Sequence, residues 1–240
     1  MSELAGDRPV PVSEDYPVVI IDDHELFSTT LTMALRNEGF DARTLAVPDI
    51  RLFMDRPTPH LAGLAVLDLD LGRDAEGQYL HGADLVDGLR AAEWKVLVVS
   101  GSMDQPGIAA AIAAGAIGSV PKSRSFDVLL RTVMTAAAGG QVMTEFEHRE
   151  WLDRHRRYLA QERELSRRLA RLSSREREVL ELLAAGMRAA TIAEHFVVSM
   201  PTVRTQIRSL LAKLEVSSQL EAVALLRQLP DPRERSRRSS

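Results

Sequence analysis

Six side chains between positions 22 and 122 could act together on one phosphorylated or metal-bound group: Asp22, Asp23, Asp68, Asp70, Ser100 and Lys122. Each stands at or just beyond the end of a short apolar run. Asp22 and Asp23 follow Val18–Ile21, and Asp68 and Asp70 close the run from Gly63 to Leu69. Ser100 ends the run from Lys95, and Lys122 follows Gly118–Pro121. If these runs are strands of one sheet, their ends bring the side chains to a common pocket. Several carboxylates at one spot cannot all stay ionised without a cation. A hard ion such as Mg²⁺ resolves this, because it takes carboxylate and carbonyl oxygens and keeps some waters. With a hydroxyl and an ammonium added, the set suits a phosphoryl group carried on a carboxylate. Taken singly the residues say little, since an Asp at a strand end is most often a turn or cap residue.

The elements that would position them follow from periodicity. Strands are read at Pro17–Ile21, Asp41–Leu45, Gly63–Leu69, Lys95–Ser100 and Gly118–Pro121. Helical patterns fill the gaps at Leu26–Glu38, Ala83–Ala92, Gln105–Ala114 and Ser125–Ala138. Such alternation predicts an α/β domain, a doubly wound five-stranded parallel sheet covered on both faces. In these sheets ligands sit beyond the carboxyl ends of the strands, where the acidic residues fall.

The second half changes character. Residues 1–145 hold 11 Lys/Arg against 21 Asp/Glu, and residues 146–240 hold 19 against 13. An acidic front and a basic back suggest two tasks, the second facing a polyanion. From Phe146 to Arg171 the chain is charge-dense, without Gly or Pro, and predicts a linker helix. Trp151, Tyr158, Leu165 and Leu172 recur at intervals of seven, which permits a packing stripe, although a solvated linker is the favoured reading. Residues 172–228 read as wholly helical and as a second, all-α domain. Ser173 and Glu176 have capping-box spacing, Gly186 ends that helix, and a short helix spans Ala190–Phe196. After a turn at Val197 and Val198, Ser199 caps the next helix, with Pro201 in its first turn. A last helix runs from Gln219 to Leu229. The domains expected are 17–140, a helical linker at 141–171 and 172–229, with disordered segments at 1–16 and 230–240.

On a helix from Met200 to Leu214, Val203, Ile207, Leu210, Leu211 and Leu214 form the inward stripe. Arg204, Thr205 and Arg208 fall on the opposite flank, suited to a DNA major groove, where Arg can pair bidentately with guanine. Thr202, Gln206 and Lys213 are read as phosphate-contacting or packing residues. The basic tail would add non-specific affinity. With no Cys, disulfides and thiolate metal sites are excluded. No apolar run approaches the ~20 residues of a membrane span, and the polar N-terminus lacks a signal pattern. The chain is therefore read as cytoplasmic, with no membrane partner.

The segments VVIIDDH (18–24), AVLDLDL (65–71), VVSG (98–101) and GAIGSVPK (115–122), in this order, resemble response-regulator receivers. LSSREREVL (172–180) with Gly186, Ile192, Ser199, Thr202-Val203-Arg204 and Lys213-Leu214 is similar to a LuxR-type helix-turn-helix. Together they resemble a NarL/FixJ-type response regulator, which implies a flavodoxin-like receiver and a transcription regulator, not an enzyme. The resemblance implies Asp68 as phospho-acceptor, Ser100 and Lys122 as phosphoryl contacts, and Mg²⁺ held by Asp22, Asp23, Asp68 and the Asp70 main-chain carbonyl. It implies a sensor histidine kinase as phosphodonor, a homodimer on paired half-sites of double-stranded DNA, and RNA polymerase as a further partner. The chain departs from the pattern in three places. The stretch from Asp68 to Gly82 is about six residues longer than usual, Ser119 replaces an aromatic residue, and Pro121 precedes Lys122. A regulator that works without phosphorylation is one alternative. A haloacid-dehalogenase-like phosphatase, with Asp68 and Asp70 as nucleophile and general acid, is a more remote one.

Overall fold

The computed structural model describes residues 16–55, 63–73, 77, 79–101 and 104–227. They fall into two compact units that divide between His155 and Arg156. The sequence-based expectations of disorder at 1–15 and 230–240 lie outside the described residues. Tyr16, assigned to the first of these segments, is fixed instead: its hydroxyl donates to the Gly63 carbonyl at 3.1 Å.

In the first unit β1 (Val18–Ile21), β2 (Ala42–Leu45), β3 (Leu64–Leu67), β6 (Lys95–Ser100) and β7 (Gly118–Pro121) form one parallel sheet, ordered β2-β1-β3-β6-β7. All four β1 residues are fully buried. Alternation along the strands sorts them between two cores. Val19, Ile21, Ala65, Leu67, Val96 and Val98 face α3 (Val86–Ala91) and α4 (Gln105–Ala113) through Leu89, Ile108 and Ile112. Val18, Ile20, Leu64, Val66, Leu97 and Val99 face α1 (Glu25–Asn37) and α5 (Phe126–Ala137) through Leu31, Leu35, Leu129 and Val133. Each such aliphatic side chain stabilises the fold by roughly 1.5–3 kcal/mol on full burial. The first core also holds Trp94, with Trp151 packed at its edge.

The in-register pairing of Ile21 with Leu67 ends β1 and β3 at one level, and β6, whose Val98 pairs with Leu67, runs two residues further to Ser100. That alignment delivers Asp22, Asp68 and Ser100 to the same rim. Two elements had no sequence counterpart. A short α2 (Ile50–Asp55) follows a 3₁₀ turn at Val47–Asp49. The long stretch after Asp68 contains an antiparallel hairpin, β4 (Asp70–Arg73) and β5 (Tyr79–His81). Buried Leu71 anchors the hairpin in the first core. The helix expected from Ala83 begins instead with a 3₁₀ turn, Gly82–Leu85.

In the second unit α7 (Ser174–Ala184), α8 (Ala189–Phe196), α9 (Met200–Leu214) and α10 (Gln219–Arg227) enclose a core of Val179, Leu180, Ile192, Val203, Ile207, Leu210, Leu214 and Ala222. The helix α6 (Glu145–Ala170) is not the solvated linker favoured from sequence. Trp151 packs on the first unit's core, and Leu165 and Leu169 are buried in the second unit's core. No helix among the described residues is long and apolar enough to cross a membrane.

Candidate functional site

Five of the six singled-out residues meet at the carboxyl end of the sheet. Asp22 and Asp68 are buried, and the Lys122 Nζ lies 2.6 Å from an oxygen of each. The other Asp68 oxygen accepts the Leu69 N–H at 2.7 Å. Asp23 is at the edge, where the His24 Nδ1 approaches its carboxylate at 2.7 Å and that of Asp22 at 3.3 Å. Ser100 is buried at the end of β6, and its carbonyl accepts the Lys122 N–H at 2.9 Å, tying the two strand ends together. Asp70 stands apart. Its carboxylate accepts the Tyr79 hydroxyl at 2.8 Å, so it is engaged in the hairpin and poorly disposed for the general-acid role that the phosphatase alternative gives it.

The electrostatics are unbalanced by design of the sequence. Two buried carboxylates, Asp22 and Asp68, share one ammonium, with Asp23 at the edge. Burial raises the Asp68 pKa; Lys122 opposes that, and repulsion from Asp22 adds to it. Burial lowers the Lys122 pKa, but hydrogen bonds to Asp22 and Asp68 outweigh it, so the net shift is upward. Ligand atoms of Asp22, Asp23, His24 and Asp68 lie within 4.8 Å of one another. The surplus of negative charge and the hard oxygen donors fit a divalent cation. Sequence reasoning makes His24 a surface neighbour of the acid pair, and its side chain is exposed. It gave no signal for Phe27, whose ring lies 4.7 Å from the Lys122 Nζ.

The second site is the exposed flank of α9. Arg204, Thr205 and Arg208 are exposed, while Val203, Ile207, Leu210 and Leu214 are buried behind them. Neither arginine has a hydrogen bond or ion pair among the described residues. The Thr205 hydroxyl donates to the Pro201 carbonyl at 3.0 Å, leaving its methyl and lone pairs outward. Ser199 caps the helix and shares a 2.8 Å hydrogen bond with Thr202. Gln206 is half-buried, and its Oε1 has no hydrogen-bond partner among the described residues.

Lys213 does not reach outward. Its Nζ lies 2.6 Å from the Glu176 carboxylate, so of the two roles expected from sequence the structure supports packing. Glu176 is buried and also accepts from the Ser209 hydroxyl at 2.6 Å and the Ser173 N–H at 2.7 Å, completing the capping box. Burial pushes its pKa up, but the Lys213, Ser209 and Ser173 hydrogen bonds prevail and hold it at about 2. The turn before α9 is strained: Val197 is left-handed, with φ +54°, and 91% exposed. A β-branched residue is rarely found there.

A doubly wound domain with a carboxylate–lysine pocket, followed by four helices with an exposed basic flank on α9, is the architecture of a DNA-binding response regulator. The comparisons make this specific: a model described as "Response regulator receiver domain" matches residues 18–134, and "Bacterial regulatory proteins, luxR family" matches residues 170–226. The chain belongs to the NarL-type response regulators, which join these two domains. It is 30% identical over 218 residues to the "Probable transcriptional regulatory protein NarL" of Mycobacterium tuberculosis H37Rv, covering 89% of this chain and 94% of the relative. It is 27% identical to the "Nitrate/nitrite response regulator protein NarP" of Escherichia coli K12, covering 91% and 98%. A solved structure of full-length FixJ from B. japonicum aligns with 90% of this chain and 97% of its own, at 22% identity and a TM-score of 0.41.

Proposed function

We propose that this response regulator accepts a phosphoryl group on Asp68 from a sensor histidine kinase and thereby controls its dimerisation and its binding to promoter DNA. The observation that carries the reading is the convergence of Asp22, Asp68 and Lys122, with 2.6 Å separations, beside buried Ser100. An Asp68 oxygen attacks phosphorus, the bond to the donor's imidazole nitrogen breaks, and that electron pair leaves with the donor. Lys122 follows the phosphoryl oxygens as the new bond forms, and Ser100 offers its hydroxyl to them. Asp22, Asp23, Asp68 and the Asp70 carbonyl would hold Mg²⁺, which when bound neutralises charge on the transferred group. Asp22 and Lys122 keep Asp68 oriented between transfers.

On the DNA side Arg204, Thr205 and Arg208 reach base edges, with Thr202 at the phosphate backbone. Gln206 stays in the expected set as a packing residue behind that flank, its Oε1 being buried. Dimers occupy paired half-sites about one helical turn apart, with RNA polymerase as a further partner and the cytoplasm as the place of action. Acetyl phosphate labelling followed by Phos-tag electrophoresis tests the first half. The wild type is retarded and Asp68→Asn is not; equal retardation would remove Asp68 from its role. Footprinting tests the second. Arg204→Ala and Arg208→Ala each weaken specific binding by ~1–3 kcal/mol, and unchanged footprints would refute base contact.

A further inference from the structure

The hairpin inserted after Asp68 is fastened at its base, where Asp70 pairs with His81, and one of these fastenings leads to a neighbouring helix. Near the pocket, the Gly82 N–H donates to the Leu69 carbonyl at 2.8 Å. A Cβ on Gly82 would sit 2.0 Å from the Asp68 carbonyl oxygen, so the close approach requires glycine. Tyr79 binds the Asp70 carboxylate across the hairpin. At the same end, opposite Asp70, the His81 Nδ1 accepts the Ala83 N–H at 3.3 Å, which leaves the proton on Nε2. That Nε2 donates to the Asp104 carboxylate at 2.9 Å.

Asp104 is the N-cap of α4, and its second oxygen accepts the Gly107 N–H at 2.9 Å. One carboxylate thus caps the helix and grips the hairpin. Gly107 is needed for the grip, since a Cβ there would lie 2.0 Å from Asp104 Oδ2 and 2.7 Å from His81 Cε1. The next residue, Gln105, accepts from Arg154 of α6 at 3.0 Å, and the Arg154 guanidinium stacks over Trp151. Meanwhile Ser119 in β7 is small and offers no ring that could swing between two positions.

We propose that His81 is a positioning residue through which the inserted hairpin transmits the state of Asp68 to α4 and, by Gln105 and Arg154, to the start of α6. The inference rests on the reading of Asp68 given above. A shift of the Asp68–Leu69–Asp70 segment drags β4 and β5. His81 carries the displacement to the cap of α4, and the Gln105–Arg154 link passes it on. Physical coupling requires that each link have two arrangements, and a hydrogen-bonded cap that can be made or broken supplies one.

Amide hydrogen exchange on the full chain, with and without beryllofluoride and Mg²⁺, tests this. In wild type, beryllofluoride is expected to change exchange in segments 63–73, 104–113 and 145–155. In His81→Ala the response at 63–73 persists, while those at 104–113 and 145–155 fall at least fivefold. His81→Gln, which keeps a donor near the Nε2 position, restores them. Arg154→Ala retains the response at 104–113 and loses that at 145–155, and it serves if His81→Ala does not fold. A full distal response in both alanine variants overturns the inference, as does a wild-type response confined to 63–73, which leaves Asp68 as acceptor. No response even at 63–73 overturns the Asp68 reading, and the inference with it.

Discussion

Asp68 and Glu176 are both buried, and each has a lysine Nζ 2.6 Å from one carboxylate oxygen. Yet the pKa of Asp68 is raised and that of Glu176 is held at about 2. The difference lies in the ratio of donors to acceptors. Glu176 receives hydrogen bonds from Ser173, Ser209 and Lys213, with no competing carboxylate. Asp68 must share Lys122 with Asp22. A saturated carboxylate is a rivet, whereas one short of positive charge leaves room for a further cation. Burial alone distinguishes neither.

The comparison breaks most visibly at Glu176. Glu176→Ala strips Ser173, Ser209 and Lys213 of their acceptor and removes the capping box, and should destabilise the helical unit by about 3 kcal/mol. Denaturant unfolding followed by far-ultraviolet circular dichroism measures it, and a loss near zero would show that Glu176 is no rivet. Lys122→Ala leaves Asp22 and Asp68 facing each other and should cost the receiver about 2 kcal/mol. Millimolar Mg²⁺ should then recover more stability in the variant than in wild type, by calorimetry, if the pocket lacks positive charge.

Acid sharpens the contrast. Glu176, depressed in the fold, contributes fully above its unfolded value of 4.5, and that contribution disappears as pH falls toward 2. Asp68 has the opposite sign: its raised value means that ionisation costs the fold, so its contribution declines as pH rises through its titration. Metal-free Asp68→Asn receiver is therefore expected to be at least as stable as wild type at neutral pH; a lower melting temperature would contradict this. The smallest effect is at the turn. Val197→Asn, relieving a left-handed β-branched residue, should stabilise the helical unit by about 1 kcal/mol, read as a shift in denaturation midpoint.

Much of this was legible in the sequence where a pattern has one cause. Apolar runs of four to six residues cannot be solvated, so the five strands and the carboxylates at their ends could be read directly. The α9 stripe and the Ser173–Glu176 box were legible for the same reason, each being a short-range spacing with a single geometric meaning. What escaped depends on distance along the chain. Nothing near His81 announces Asp104, 23 residues away, and nothing near Lys213 announces Glu176. The hairpin at 70–81 hides because its residues are polar and Gly-containing, and only buried Leu71 pins it. The stripe of α6 was read as solvated because its companions are charged, although Leu165 and Leu169 are core residues.

The chain has two tryptophans, and both Trp94 and Trp151 belong to the sheet's first core. Indole emission excited at 295 nm therefore watches the receiver alone, while the DNA-binding helices melt unseen. Curves recorded by fluorescence and by helical signal will part wherever the two units lose structure separately, giving an unlabelled, two-colour view of one molecule.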